Sequence, residues 1–197
     1  STLGYMLGEM RVGTDAMEID LMRQSGAITA RTHREILSLV HPGMTEFELE
    51  AEITYRFRKA GGHPHHAYPP IVASGTNACT LHYNENSKRI DDGELVLVDA
   101  GCEWQCYASD LTRTFPANGR FGDEQRAIYE IVLAAQKAAI HLARHDIPFS
   151  LLQDTASIII TEGLMRLGIM QTGEPVKAVG EGLHRAFYPH GIGHFLG

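Results

Sequence analysis

Cysteine is scarce in this 197-residue chain: Cys79, Cys102 and Cys106, an odd number with no CxxC pair. A disulfide framework and a structural zinc site are therefore not expected, and reduced thiols in a reducing compartment are. Basic residues are outnumbered too, 17 Lys and Arg against 24 Asp and Glu, for a net charge of -7. That balance argues against nucleic acid and anionic membrane surfaces as general partners. No apolar run approaches the ~18–20 residues that span a bilayer. The opening Ser1-Thr2-Leu3-Gly4 shows neither a basic n-region nor an apolar h-region, so a cytoplasmic location without a secretory leader is expected. Walker loop, GxGxxG and nucleophile elbow are all missing. Nothing pairs a histidine with any of the cysteines, which leaves cysteine nucleophilic catalysis unsupported.

What is present reads as one sizeable α/β domain, 44% hydrophobic and 21% charged. Residues 14–40 have a helical spacing of Ile19, Met22, Ile28, His33, Ile36 and Leu37, with Thr14 placed to cap. His41-Pro42-Gly43 ends that helix. Thr45 and Glu48 form a capping box for a second helix, which Gly61-Gly62 stops. From His63 to Ile90 the chain is loop-rich, with short strands expected at Ile71–Ala73 and Cys79–Leu81. Leu95–Val98 reads as a buried strand entered through the turn Asp91-Asp92-Gly93. Trp104–Phe115 reads as its antiparallel partner. Asp123 is placed to cap a helix over 124–143. After the break at Ile147-Pro148, Ser150 and Gln153 form a second capping box for a helix reaching Gly168.

This order repeats itself. Helix, proline break, capping box at Thr45, helix and glycine stop recur about 105 residues later around Ser150, the pattern of a duplicated α/β half. The first half continues into a hairpin with two aspartates. The second reaches the equivalent loop at 188–197, so its own hairpin, with acidic residues of its own, is expected beyond the last residue.

Three residues carry the chemistry. Asp99 ends an apolar strand, where an unpaired charge is costly, and Asp110 lies in the partner strand. A turn near Glu103–Gln105 places the two carboxylates a few ångströms apart, where they repel unless a metal bridges them or one is protonated. The plainer alternative pairs Asp110 with Arg113 and uses Asp99 to cap a turn. His190-Gly191-Ile192-Gly193-His194 is a tight loop with two imidazoles, suited to lining a cleft or to an ordinary surface turn. His82 could face the same cleft or be packed. His63, His65 and His66 fit no standard metal spacing and read as a solvated loop.

The stretches Leu95-Val-Leu-Val-Asp99-Ala-Gly-Cys-Glu103, Asp110-Leu-Thr-Arg-Thr-Phe-Pro116 and His190-Gly-Ile-Gly-His194-Phe-Leu-Gly197 resemble the catalytic domain of the aminopeptidase P family. These are the Xaa-Pro aminopeptidases among the pita-bread metallopeptidases. The similarity runs from about Glu9 through Gly197 and includes Leu81-His82-Tyr83 and Phe115–Phe121. The resemblance implies a pita-bread fold: pseudo-duplicated α/β halves around a curved antiparallel sheet, with the second half incomplete. It implies residues 1–8 as the junction with an absent N-terminal domain and 9–197 as the catalytic domain. It also implies two divalent metal ions, Mn2+ by family habit and oxygen ligation. Asp99 would chelate one ion, Asp110 bridge both, and His194 ligate the other. His82 and His190 would contact substrate and the developing tetrahedral centre. The implied reaction is attack of a metal-bridging hydroxide on the peptide bond between a first residue and a following proline. Proline-containing peptides are the implied partners, and a homo-oligomer is left open.

The family pattern continues into a further histidine and two glutamates that this chain does not contain, so the isolated 197 residues are expected to bind metal weakly and to lack activity. Two other activities fit the same motifs: an Xaa-Pro dipeptidase (prolidase), and a non-catalytic pita-bread binding module. The latter usually loses the metal ligands that are retained here.

Overall fold

The computed structural model describes residues 2–171 and 173–196. The chain divides into two compact units, Ser1–Phe121 with Leu196–Gly197, and Gly122–Phe195.

In the first unit, α1 (Thr2–Arg11) is a helix the sequence reading did not anticipate, and it runs across the boundary expected between residues 8 and 9. α2 (Ala16–Ile36) is capped by Asp15, not Thr14. The Asp15 carboxylate accepts from the Glu18 N–H, and the Glu18 carboxylate accepts from the Asp15 N–H. An ionised side chain here also suits the positive end of the helix. α3 (Glu46–Lys59) begins at the expected Thr45–Glu48 capping box and stops before Gly61, whose φ of 88° is the left-handed stop.

These helices bury their apolar stripes against a three-stranded antiparallel sheet of β1 (Ile71–Ser74), β2 (Leu95–Asp99) and a later strand, β5 (Thr112–Pro116), in the order β1-β2-β5. The register pairs Ile71 with Asp99 and Asp99 with Thr112. Alternation along β2 sends Val96 and Val98 into a core with Ile36, Leu49, Ile53, Phe57, Val72 and Ile90.

Two strand expectations fail. No strand forms at Cys79–Leu81; Gly75–Cys79 is a 3-10 turn, because the carboxylate of Glu46 gathers its donors, as described below. Nor is Trp104–Phe115 one strand. It opens with half of a small hairpin, β3 (Glu103–Trp104) with β4 (Tyr107–Ala108), turning at Gln105 and Cys106. Their φ values of 49° and 68° form the primed turn that matches strand twist.

In the second unit, α4 (Asp123–Leu142) starts at Gly122, whose N–H donates to Gln125 Oε1, so Asp123 lies inside the helix. α5 (Phe149–Arg166) has no capping box: Ser150 is already helical and Pro148 occupies the cap position. α4 and α5 approach closely at Gly163, where a Cβ would lie 2.5 Å from Ile131. The glycine stop recurs at Gly168, φ 71°. A short α6 (Pro175–Gly180) and a 3-10 turn at Leu183–Ala186 lead to the histidine loop. Among the described residues, no helix is long and apolar enough to cross a membrane. Ser1 and Gly197, at the ends of the stretches singled out by sequence, lie outside the described residues.

Candidate metal centre

Asp99 is the last residue of β2, and Asp110 stands two residues before β5 begins. Between them ten residues, Ala100 to Ser109, leave the sheet as a strap and return. The strap is narrow at its base. Ala100 N–H donates to Leu111 O at 3.2 Å and Ser109 N–H to Cys102 O at 3.0 Å. Gly101 lets the two sides close: a Cβ there would lie 1.8 Å from the Ser109 carbonyl oxygen and 2.9 Å from the Tyr68 ring. No side chain fits in that space.

The two carboxylates do meet, at a residue the sequence reading missed. The Tyr68 hydroxyl lies 2.5 Å from Asp99 Oδ1 and 3.0 Å from Asp110 Oδ1. A phenol has one proton, so it donates to one carboxylate at a time. Burial, reinforced by both aspartates, raises the Tyr68 pKa far above the ordinary phenol value, so it stays protonated. Burial also raises the Asp99 carboxyl, and the charge of Asp110 adds to that; hydrogen bonds from Tyr68 and Thr112 oppose the shift without cancelling it. The plainer Asp110–Arg113 alternative gains no support, since Arg113 turns its guanidinium to the Thr112 carbonyl at 2.7 Å. Tyr68 sits in a proline-rich loop with no periodicity, so its role had no sequence signal beyond the loop itself.

This pair fits a hard divalent cation. Its donors are carboxylate oxygens, with Asp99 half-buried and both side chains meeting at Tyr68. Among the described residues, no group of three or more His, Cys, Asp or Glu is gathered as a metal cluster.

His82 is exposed, in a left-handed conformation (φ 54°) within the segment 75–88. Glu46, fully buried at the first position of α3, shapes that segment. Its carboxylate accepts from Ser74 N–H and Oγ, Asn77 Nδ2, the Tyr83 hydroxyl and Lys88 N–H, at 2.7–3.1 Å. Burial works against its charge, yet these donors outweigh burial and hold its pKa below the usual carboxylate range.

In the second unit, His190 and His194 are both exposed. The His190 ring meets Tyr188 edge-on at 5.5 Å, and its Nδ1 lies 3.0 Å from Gly191 O. His194 Nδ1 lies 2.8 Å from Phe195 O. A carbonyl only accepts, so Nδ1 carries the proton in each ring. In the neutral tautomer, Nε2 of His194 is then the lone-pair nitrogen, the form a metal ligand needs. The Ile192 N–H donates to Gln153 Oε1, so the glutamine expected in a capping box anchors this loop instead.

The remaining histidines and cysteines separate. His66, expected in a solvated loop, is buried against Phe57 with its Nε2 3.3 Å from Thr54 Oγ1, while His63 and His65 are exposed. All three cysteines are free. Burial pushes the Cys102 thiol up to about 11, which keeps it protonated and unreactive.

The chain as a whole has known relatives. Residues 20–197 match the family described as Metallopeptidase family M24. The Xaa-Pro aminopeptidase of Haemophilus influenzae is 46% identical over 193 residues, 98% of this chain and 44% of that protein. The Xaa-Pro aminopeptidase of Escherichia coli is 42% identical over 191 residues, 96% of this chain and 42% of that protein. The structure of the Pseudomonas aeruginosa aminopeptidase PepP superposes with a TM-score of 0.92 at 46% identity, covering 95% of this chain and 42% of that one. The chain thus spans less than half the length of the curated relatives it matches. The fold is the pita-bread fold of aminopeptidase P.

Proposed function

The chain belongs to metallopeptidase family M24, and from that premise we propose that the whole protein is an Xaa-Pro aminopeptidase. It would hydrolyse the bond between an N-terminal residue and a following proline, in the cytoplasm. The observation that carries this reading is the convergence of Asp99 and Asp110 on one phenol in a chain 46% identical to an Xaa-Pro aminopeptidase. In this proposal residues 9–197 belong to the catalytic domain, with 1–8 leading into it.

Asp99 and Asp110 would hold a divalent pair, most simply Mn2+ given oxygen-rich ligation. For His194, in the other unit, the support is its motif and its Nδ1–H tautomer. When bound, such ions acidify a water and polarise the scissile carbonyl. The chain's own residues then orient and discriminate. Tyr68 keeps its proton and steadies whichever carboxylate carries more charge. His82 is offered to substrate on a loop held by Glu46. His190 donates from Nε2 only as an imidazolium, since Nδ1–H is already directed to Gly191 O; charged, it suits a developing oxyanion.

The test is turnover of Xaa-Pro peptides by the manganese-loaded whole protein. Cleavage that is lost in Asp110→Ala supports the reading. A loaded wild type that leaves Xaa-Pro peptides intact overturns it.

A further inference from the structure

The strap between the two aspartates has a backstop, and its chemistry is unusually explicit. Ser25, Thr29 and His33 recur every four residues along one face of α2, and all are buried. Each touches the strap near its base. Ser25 Oγ lies 2.6 Å from Cys102 O and 2.9 Å from Ser109 Oγ. Thr29 Oγ1 lies 2.7 Å from Ser109 Oγ and accepts from Cys102 N–H at 2.9 Å. Ser109 Oγ lies 3.0 Å from Cys102 O, and His33 Nε2 lies 3.2 Å from Ala100 O.

These bonds link into one circuit. Cys102 N–H donates to Thr29 Oγ1, either hydroxyl of the Thr29–Ser109 pair can donate to the other, and Ser25 Oγ and Ser109 N–H fill the two lone pairs of Cys102 O. Its members hold both edges of the strap. Ala100 follows Asp99 directly, and Ser109 precedes Asp110 directly. A shift at Ser109 is therefore passed to Asp110 through one peptide bond.

We propose that Thr29, with Ser25 and Ser109, is a positioning device that sets the separation of the Asp99 and Asp110 carboxylates for their metal ions. The inference rests on the reading of those aspartates as ligands. None of the three hydroxyls needs to touch metal or substrate. Removing the Thr29 hydroxyl strands a buried Cys102 N–H and breaks the circuit at its centre, while the valine isostere preserves volume. Groups that orient metal ligands in this indirect way typically change metal affinity about 10–100-fold when lost.

The experiment uses the whole protein and titrates Mn2+ into metal-free wild type, Thr29→Val and Thr29→Ser by calorimetry, with apo thermal melting alongside. The expected result is Mn2+ affinity weakened about 10–100-fold in Thr29→Val, restored in Thr29→Ser, with kcat reduced and KM nearly unchanged. If Thr29→Val fails to fold, Ser25→Ala carries the same comparison with a smaller weakening. Wild-type Mn2+ affinity in a folded Thr29→Val protein, even one that melts earlier, overturns the proposal and leaves the metallopeptidase reading intact. A wild type that binds no divalent metal overturns both.

Discussion

In the unit Ser1–Phe121, Thr29 is buried inside a helix and its hydroxyl is bonded to both Cys102 N–H and Ser109 Oγ. In the unit Gly122–Phe195, Thr161 is just as buried inside a helix, and its hydroxyl has no hydrogen-bond partner among the described residues. The same contrast extends to the apolar interior. The first unit fills its core with Ile36, Leu49, Ile53, Phe57, Ile90 and valines from β1 and β2, all without exposure. The second relies on small residues, Ala135, Ala139, Ala156 and Gly163, and a compact cluster of Leu164, Met170 and Ala178. Around the strap that joins the two aspartates, the buried hydroxyls are bonded to one another and to backbone. Elsewhere both units leave buried polar side-chain atoms without a partner among the described residues, His33 Nδ1 and His66 Nδ1 in the first and Thr161 Oγ1 and His184 Nδ1 in the second.

The contrast is broken most severely at Phe57. Phe57→Ala removes a fully buried ring against His66, and unfolding stability should fall by about 3–5 kcal/mol. Denaturant titration checks this, and a loss below ~1 kcal/mol would show that the first unit's core is not its main support. Glu46→Gln comes next. It swaps one acceptor for a donor that faces the Ser74, Tyr83 or Lys88 donors, with an expected cost of about 1.5–3 kcal/mol. Hydrogen exchange should speed up selectively over residues 75–88.

That segment shows why part of the fold was legible and part was not. The Thr45–Glu48 capping box and the Leu95–Asp99 strand depend on residues within a few positions, so a reader of sequence finds them. The 3-10 turn at Gly75–Cys79 is tied to a carboxylate some thirty residues earlier, so the strand expected at Cys79–Leu81 does not form. At the candidate centre, Asp99, Asp110 and the histidine loop stood out because charge at a strand end and paired glycines are local signals. Tyr68 and Thr29 did not, since one lies in an aperiodic loop and the other looks like any helical threonine. Ser150–Gln153 failed in the opposite way: the local pattern was right, but the glutamine is engaged by Ile192 instead.

Acid sharpens the same comparison at intermediate size. Burial, helped by Arg58, lowers the His66 pKa from its ordinary 6.5, and hydrogen bonds lower that of Glu46 from 4.5. In both cases the folded state binds fewer protons than the unfolded state between the two pKa values. The stability they contribute is present above the unfolded pKa and lost as pH falls through the folded one. Urea midpoints should therefore drop first below pH 6.5 and again below 4.5. Glu46→Gln should lack the second drop, and a midpoint flat from pH 8 to 4 would contradict the assignment. The smallest effect belongs to Thr161→Val. Removing a buried hydroxyl that has no partner should leave stability unchanged or raise it; a clear loss by denaturant titration would show that the second unit uses that hydroxyl after all.

The hairpin tip at Gln105 and Cys106 sits beyond the pinched base of the strap, exposed and turned by its own backbone geometry. Because the base is stitched at Ala100, Cys102 and Ser109, extra residues spliced between Gln105 and Cys106 would lengthen an appendage without prising the aspartates apart. The tip can therefore be lengthened while the spacing of the two aspartates stays set at the base of the strap.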